Sequence, residues 1–174
     1  MSAWTAPDGA VVTIRPIRAA DLELEREFVT GLSPVTGYHR LMSTRTPSLA
    51  ELRRFTNIDP RREVAVIATT TVDGRERQVG VARYVKDESK PDEAEFAIVL
   101  ADAWQRRGLG RRLLASLIDV AKRDGVRRLV GTTLSDNEGM LRLARRLGFS
   151  LARNRGSASI TDVSLELARM DANQ

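Results

Sequence analysis

The sequence contains no cysteine, a single histidine and few aromatic residues, which make up 5% of its 174 residues. Without cysteine, neither a disulfide framework nor a thiolate metal site can form. One histidine, His39, does not make a metal site by itself, so we expect no bound metal and a structural or surface role for this residue. The absence of cysteine is compatible with a reducing cytoplasm, where we expect the protein to reside.

Long apolar segments are also missing. No run approaches the roughly 18 residues that a membrane-spanning helix needs. The first residues lack a basic segment followed by an apolar one, so we expect neither a secretory signal nor a membrane partner. Hydrophobic residues make up 42% of the chain and charged residues 29%, which is typical of a folded domain. We expect a single domain over residues 1–174, with a core over about 11–168 and short flexible ends.

The net charge of +5 comes largely from arginines in the second half of the chain. One group lies at 106, 107, 111 and 112, and a second at 127, 128, 142, 145 and 146. A polyanionic partner and a solvated surface would both explain the second group. The basic segments are not interleaved with aromatic residues, so we do not expect nucleic-acid binding.

The order of predicted elements indicates an α/β (α+β) domain. Strands are predicted over residues 11–17, 64–72, 78–86, 93–100, 127–133, 149–153 and 161–167. Helices are predicted from Asp21 as a cap, twice within 32–57, over 108–124, and from a capping box at 135–138 to Gly148. We expect segment 161–167 to be an exposed edge strand that could pair with a second copy, so monomer and homodimer both stay open.

The strongest local signal is the segment from Gln105 to Arg112, which lies between a predicted strand and a predicted helix. Gly108 and Gly110 let the backbone turn so that successive N–H groups are exposed, and a helix N-terminus adds partial positive charge. Cations beside a helix N-terminus are unfavourable unless an anion binds there. The segment therefore predicts a pyrophosphate site, although a glycine-rich turn with solvated arginines is the simpler alternative.

Two other phosphate motifs do not fit. A dinucleotide-binding fingerprint would have a third glycine where this chain has Leu113, and it would follow a first parallel strand. A P-loop would continue with Gly-Lys-Ser/Thr, which is absent.

Residues Gln105 to Gly110 resemble the Q/R-x-x-G-x-G/A motif of the GNAT superfamily of acyl-CoA-dependent N-acyltransferases. Asn137, Leu143 and Gly148-Phe149 are similar to the second signature of that family. The order of elements fits over nearly the whole chain. Segments such as 32–36, 79–84 and 95–99 resemble the acetyltransferase module of bacterial protein lysine acetyltransferases.

The resemblance implies a mostly antiparallel, twisted mixed sheet of about 6–7 strands, flanked by helices and splayed at its centre. It implies acetyl-CoA as co-substrate. The residues that would bind the cofactor are Val99, Leu100, Gln105, Arg106, Arg107, Gly108, Leu109, Gly110, Arg111 and Asn137. Backbone groups near Val99 and Leu100 would pair with the pantetheine arm. Asn137 could contact the cofactor, cap its helix, or do both.

Acetyl transfer to an amine requires a neutral nitrogen. A lysine of pKa near 10.4 carries a deprotonation penalty of about 4–5 kcal/mol at pH 7, so a base or a desolvating site is needed. Glu95 is the candidate base, directly or through a water, because it lies on the predicted strand that leads to the phosphate segment. A solvated strand glutamate beside Glu93 is the alternative interpretation.

Many members of the family carry a tyrosine that protonates the leaving thiolate, and the matching position here is Ala144. Either Tyr84 or no side chain at all would take that role. A coenzyme A thiolate is a tolerable leaving group near neutral pH, so catalysis does not require the tyrosine.

The sequence leaves the acceptor open. Acetylation of a protein lysine is the first hypothesis. Acetylation of a small amine and non-catalytic sensing of acetyl-CoA are the alternatives. Residues 32–57 are expected to build the acceptor side of the site.

Overall fold

One eight-stranded sheet organises the computed structural model, which describes residues 1–41 and 46–168 of the chain. The strands are β1 (Ser2–Thr5), β2 (Val11–Pro16), β3 (Glu63–Val72), β4 (Arg75–Lys86), β5 (Glu93–Leu100), β6 (Arg128–Leu134), β7 (Ser150–Arg153) and β8 (Ile160–Glu166). The helices are α1 (Leu22–Thr30), α2 (Pro34–Leu41), α3 (Leu49–Thr56), α4 (Leu109–Arg123) and α5 (Glu138–Arg146). Single 3₁₀ turns cover Ala19–Asp21 and Asp102–Trp104.

The strand order is β1-β2-β3-β4-β5-β6-β8-β7. Neighbouring strands are antiparallel except for β5 and β6, which run parallel. The predicted mixed, mostly antiparallel α/β sheet is therefore confirmed, with eight strands instead of the expected 6–7.

The extra strand is β1, and it makes the expectation of a flexible N-terminus wrong. Ser2–Thr5 pairs with β2 through a tight turn in which Gly9 has a φ of 87°. The segment Ser2–Thr5 is too short, and its hydrophobicity too irregular, to predict a strand. Its extended conformation is stabilised by the hydrogen bonds to β2 and not by local propensity.

The prediction that residues 161–167 form an exposed edge strand is also wrong. Strand β8 lies between β6 and β7 and pairs with both, so its backbone groups face neighbours on each side. The edges of the sheet are β1 and β7. A homodimer that forms by strand pairing would have to use one of those two short strands.

Two buried apolar clusters lie on opposite faces of the sheet. The larger one packs α4 and α5 against the sheet, with Leu113 and Leu117 fully buried next to Phe96. The smaller one packs Phe28 of α1 against Val81 and Val99. Because side chains alternate along a strand, the even residues of β5 face α4 and the odd residues face α1. This confirms the predicted separation of Glu95 from Phe96.

Several local predictions are confirmed in detail. The turn between β3 and β4 has positive φ at Asp73 (51°) and Gly74 (74°), as expected for a two-residue hairpin. Helix α4 ends before Gly125, which has a φ of 76°. Two short helices form within 32–57 as expected.

Asp21 caps the 3₁₀ turn at Ala19–Asp21, where it accepts the N–H of the cap residue Arg18, and it does not cap α1, which has no side-chain cap. The buried carboxylate of Asp21 accepts two hydrogen bonds of 2.8 Å from the guanidinium of Arg15, and one of 2.7 Å from the N–H of Arg18. Burial acts to raise the pKa of Asp21, but these bonds outweigh it and hold the pKa below its ordinary value. This ion pair connects β2 to the start of α1.

Candidate active site

The chain turns sharply between β5 and α4. After the 3₁₀ turn at Asp102–Trp104, Arg106 and Gly108 adopt positive φ values of 58° and 90°. Glycine takes this left-handed conformation without steric penalty, whereas arginine takes it rarely, so the surrounding contacts impose the shape of the turn. We call residues 105–108 the cofactor loop.

Helix α4 begins at Leu109 with backbone N–H groups that have no acceptor among the described residues. Gly108 occupies the cap position, and no side chain caps the helix. The first hydrogen bond of the helix runs from the Arg112 N–H to the Gly108 carbonyl at 3.4 Å. Among the described residues, no acceptor bonds to the N–H groups of Leu109, Gly110 or Arg111. These donors and the helix dipole together make an anion-binding position.

The four arginines around this position fall into two classes. The Arg107 guanidinium forms an ion pair with Asp8 and lies 4.4 Å from the centre of the Trp104 ring. Arg112 lies over the Trp4 ring at 5.1 Å. Arg106 and Arg111 make no hydrogen bond or ion pair within the described part of the chain, and both are exposed.

The sequence predicts four uncompensated cations at this position, and that prediction is wrong for two of them. The N-terminal hairpin neutralises Arg107 through Asp8 and stacks Trp4 on Arg112. Trp4 also lies beside Gly108, since a Cβ at that glycine would be 3.8 Å from the indole ring. Asp8 and Trp4 are the residues of this region that the sequence analysis missed.

A gap between β5 and β6 leads to the cofactor loop. The two strands pair only at Glu93–Arg128, Ala94–Leu129 and Glu95–Val130, although β5 continues to Leu100. Beyond Glu95 the strands diverge, and this is the splay that the family resemblance implied. We call this opening the strand gap. From Glu95 to Leu100 it is about 16 Å long at 3.3 Å per residue, which suits an extended pantetheine arm.

The direction of the backbone groups differs between neighbouring residues of β5. Val99 lies opposite Val81 in the antiparallel ladder, two residues before the bond from the Ala101 N–H to the Val79 carbonyl. By the alternation of that ladder, Val99 bonds to β4, and the N–H groups of Ile98 and Leu100 face the strand gap. Ile98 is thus a candidate residue that the sequence analysis did not name. Its strand position was the available signal, but the hydrogen-bonding side of a strand cannot be read from one sequence.

Glycines allow close packing around the cofactor loop and the strand gap, which together we call the donor side, because the acetyl donor would bind there. A Cβ at Gly110 would lie 3.3 Å from side-chain carbons of both Leu100 and Leu143, so α4, β5 and α5 meet there. At Gly131 of β6, a Cβ would lie 3.0 Å from the Phe96 carbonyl oxygen, at the point where the strands part. Leu109 is fully buried, with its side chain in the larger apolar cluster.

Glu95 lies at the closed end of the strand gap, on the face of β5 that carries α1. Its side chain is exposed, and its strand neighbours are Val85 on β4 and Val130 on β6. Glu93, two residues earlier on β5, is half-buried and accepts hydrogen bonds from Lys90 and Arg128. Glu95 is therefore the glutamate that combines solvent access with a position at the gap.

Val85 lies between Glu95 of β5 and the buried Glu63 of β3, because it pairs with both in the sheet. The Glu63 carboxylate accepts a 2.6 Å bond from Arg54 and a 3.1 Å bond from Arg83. A partly open groove of about 310 Å³ lies beside it. The groove is lined by Arg54, Asn57, Asp59, Arg62, Glu63 and Val85. Its position next to Glu95 makes this the candidate acceptor side.

Asn137 caps α5, and its side-chain oxygen accepts a 3.2 Å bond from the Met140 N–H. The predicted capping box at 135–138 is wrong in register, because the Ser135 hydroxyl bonds to Ala158 and Thr161 instead. A contact between Asn137 and the cofactor stays a prediction.

Tyr84 does not lie near the cofactor loop. Its side chain is fully buried, and its hydroxyl donates to Asp124 at the far end of α4. A 15-residue helix, about 22 Å long, separates that end from the loop. Burial and then the Asp124 hydrogen bond raise the pKa of Tyr84, which makes it a poorer acid. Ala144 is fully buried and offers no proton.

His39 lies outside the residues whose side chains are described. In the described part of the chain, no three histidine or acidic side chains converge on a potential metal site. No helix there is long and apolar enough to cross a membrane.

The family model for the acetyltransferase (GNAT) domain matches residues 12–150. The match covers most of the chain, including the cofactor loop and the strand gap. The chain belongs to the GNAT acetyltransferase family.

Named relatives agree with this assignment. The chain is 37% identical to Acetyltransferase PA5475 of Pseudomonas aeruginosa over 143 residues, covering 82% of this chain and 76% of the relative. It is 29% identical to Acetyltransferase Pat of Mycolicibacterium smegmatis over 152 residues, covering 87% of this chain. The chain spans only 45% of the length of that second relative.

The fold has a solved counterpart in the GNAT domain of S. lividans PAT. The two superpose with a TM-score of 0.83 at 26% identity, over 95% of this chain and 96% of the other.

Proposed function

We propose that this GNAT acetyltransferase transfers an acetyl group from acetyl-CoA to a primary amine, and that the acceptor is a protein lysine side chain. The observation that carries the proposal is the continuity of the site. The strand gap opens at Glu95 and ends at Leu100, from which the cofactor loop leads to the uncapped start of α4. A candidate base and an anion site therefore lie at the two ends of one channel.

On the donor side, the N–H groups of Leu109, Gly110 and Arg111 would bind the pyrophosphate, with Arg106 and Arg111 adding charge. The Ile98 and Leu100 backbone would pair with the pantetheine arm. The residues present fit acetyl-CoA, because the strand gap holds the unpaired edge that the arm needs. Acetyl-CoA would supply the thioester carbonyl.

On the acceptor side, the Glu95 carboxylate takes a proton from the incoming ammonium group, directly or through a water. The neutral nitrogen then attacks the carbonyl carbon, a C–N bond forms, the C–S bond breaks and the thiolate departs. The nitrogen releases its extra proton to the thiolate or to water, which leaves the neutral amide. A backbone N–H in the strand gap polarises the carbonyl oxygen. No side chain is assigned as the acid, so the thiolate leaves as such or takes a proton from water.

The open acceptor side favours a protein substrate. Glu95 and Val85 are exposed, and the groove beside them is partly open to solvent. Small-molecule sites usually enclose most of their ligand. A lysine on a protein surface needs only a long side chain to reach Glu95.

The test is thiol release from acetyl-CoA with a panel of small amines, lysine peptides and acyl-CoA synthetases. We expect release with a protein or peptide lysine, and acetyl-lysine in the product by mass spectrometry. Turnover with free small amines alone would contradict the protein-lysine acceptor. Coenzyme A binding without turnover on any acceptor would favour an acetyl-CoA sensor.

A further inference from the structure

Hydrogen bonds connect the turn after β5 to the start of helix α2. The Asp102 carboxylate accepts bonds of 2.7 Å from the hydroxyls of Ser33 and Thr36, and one of 3.0 Å from the Ser33 N–H. The Gln105 side-chain amide donates to the Thr36 hydroxyl at 3.2 Å and to the Leu100 carbonyl at 3.4 Å. One network thus joins α2, the end of β5 and the first residue of the cofactor loop.

The sequence at the start of α2 is suited to this contact. The Ser33 hydroxyl accepts a bond from the Thr36 N–H at 3.3 Å, which caps the helix. The spacing of three residues brings both hydroxyls to the same side of α2. A carboxylate is favourable at a helix N-terminus, and it accepts stronger hydrogen bonds than a neutral group does.

The carboxylate of Asp102 is held in its charged form. Partial burial acts to raise its pKa, but the bonds from Ser33 and Thr36 outweigh this and hold the pKa below its ordinary value. The network is therefore intact across the neutral pH range.

Polar bonds, and not apolar packing, hold the first turn of α2. Pro34 and Val35 are exposed and Gly37 is half-buried, whereas Thr36 is buried and directs its hydroxyl to Asp102. Water competes with such bonds, so a segment held mainly by them opens more easily than one held by a core.

Helix α2 also contacts β5, the strand that carries Glu95. Its attachment lies on the donor side, and α2 belongs to residues 32–57, the segment expected to build the acceptor side. The Gln105 amide bonds to α2 only at the Thr36 hydroxyl among the described residues, so a movement of Gln105 would shift α2 through that hydrogen bond.

We propose that Asp102 and Gln105 are positioning residues that dock α2 against the cofactor loop, so that donor binding orders the acceptor side of the site. The inference rests on the proposed function, because it requires coenzyme A to bind at the loop. Coupling between two sites is reciprocal, so a bound acceptor would also tighten donor binding.

The test compares Thr36→Val, which keeps the shape and removes the hydroxyl, with Thr36→Ser, which keeps the hydroxyl. Asp102→Asn removes the carboxylate, and Asp119→Asn is its control on the exposed face of α4. Amide hydrogen exchange over residues 33–41 is measured with and without coenzyme A. Thermal unfolding of each variant verifies that it is folded, and KM and kcat are measured with a lysine peptide.

We expect coenzyme A to slow exchange over 33–41 by about five- to tenfold in the native protein, Thr36→Ser and Asp119→Asn. In Thr36→Val and Asp102→Asn this slowing is lost, and KM for the peptide rises about five- to tenfold while kcat changes less. Equal slowing in Thr36→Val and the native protein would overturn the inference, as would loss of slowing in Thr36→Ser.

The two levels of the proposal fail in different ways. Coenzyme A that binds the native protein without slowing exchange at 33–41 overturns the docking role alone. A native protein that binds no coenzyme A overturns the proposed function, and the docking role with it.

Discussion

The donor side of the site is built from one stretch of chain, and the acceptor side from several. The cofactor loop and the first turn of α4 are continuous in the chain, over residues 105–112. The acceptor side combines β5, β4, β3 and the helices between residues 22 and 56, which are far apart in sequence. The difference explains why the sequence identifies a donor so readily and leaves the acceptor open.

The two sides also hold their charges differently. On the donor side, Arg106 and Arg111 have no partner among the described residues, which leaves them available to an anion. On the acceptor side, the Glu63 carboxylate accepts hydrogen bonds from both Arg54 and Arg83. The donor side is prepared for a charged ligand, whereas the acceptor side uses its charges to hold its own elements together.

The sharpest test of this comparison is Glu95→Gln, because Glu95 lies where the two sides meet. We expect kcat to fall about 10²–10⁴-fold, the usual contribution of a general base, with coenzyme A affinity unchanged. Steady-state kinetics and calorimetric titration measure the two quantities. The control is Glu93→Gln, two residues earlier on the same face. An equal loss of kcat in both variants would assign the effect to the strand and not to a base.

A smaller effect is expected at the donor side. Arg106→Gln and Arg111→Gln should each weaken coenzyme A binding about two- to fivefold, because each removes a cation near the bound phosphates. The loss should diminish at high salt, which screens exposed charges. Arg123→Gln, at the other end of α4, is the control. Equal weakening in all three variants would mean that general surface charge, and not the loop, attracts the ligand.

Acid should weaken the connection between β2 and the start of α1 through Asp21. Its pKa in the folded protein lies below the unfolded value of about 3.9, so its stabilisation is complete above that value. The stabilisation is lost as the pH falls through the folded pKa. Asp21→Asn should cost about 1–3 kcal/mol at pH 7 and flatten the fall of Tm below pH 4. Calorimetric scans between pH 2 and pH 7, at about one-unit steps, measure both. An unchanged acid profile would contradict this role.

The smallest expected effect is at Asp8, where the N-terminal hairpin touches the donor side. The Ala10 N–H and then Arg107 hold the pKa of Asp8 below its ordinary value, so it is a charged competitor for Arg107. Asp8→Asn should tighten coenzyme A binding by about twofold at low salt and by less at high salt. Weaker binding in this variant would show that the hairpin supports the loop more than it competes with the ligand.

The sequence predicted best what neighbouring residues determine. The bounds of β5 and the Asp73–Gly74 turn depend on local alternation or on glycine conformation, and the structure confirms them. Helix α4 begins at Leu109, one residue after its predicted start at Gly108. The cofactor loop belongs to the same class, because a turn and a helix N-terminus are local features.

Two of the misses involve partners that are distant in sequence. Asp8 matters because Arg107 lies about 100 residues further along the chain. The tie between Asp102 and Thr36 also joins distant segments. No local pattern encodes such contacts, since they depend on how the sheet brings separate segments together.

The most direct test of the central claim is an amide hydrogen-exchange footprint of coenzyme A on the native protein. The N–H groups of Leu109, Gly110 and Arg111 have no acceptor among the described residues, and the amide of the exposed Arg111 should exchange rapidly in the free protein. The account predicts that coenzyme A slows exchange at these amides and at Ile98 and Leu100, and leaves Val99 unchanged. Protection elsewhere, with no change at the start of α4, would contradict it.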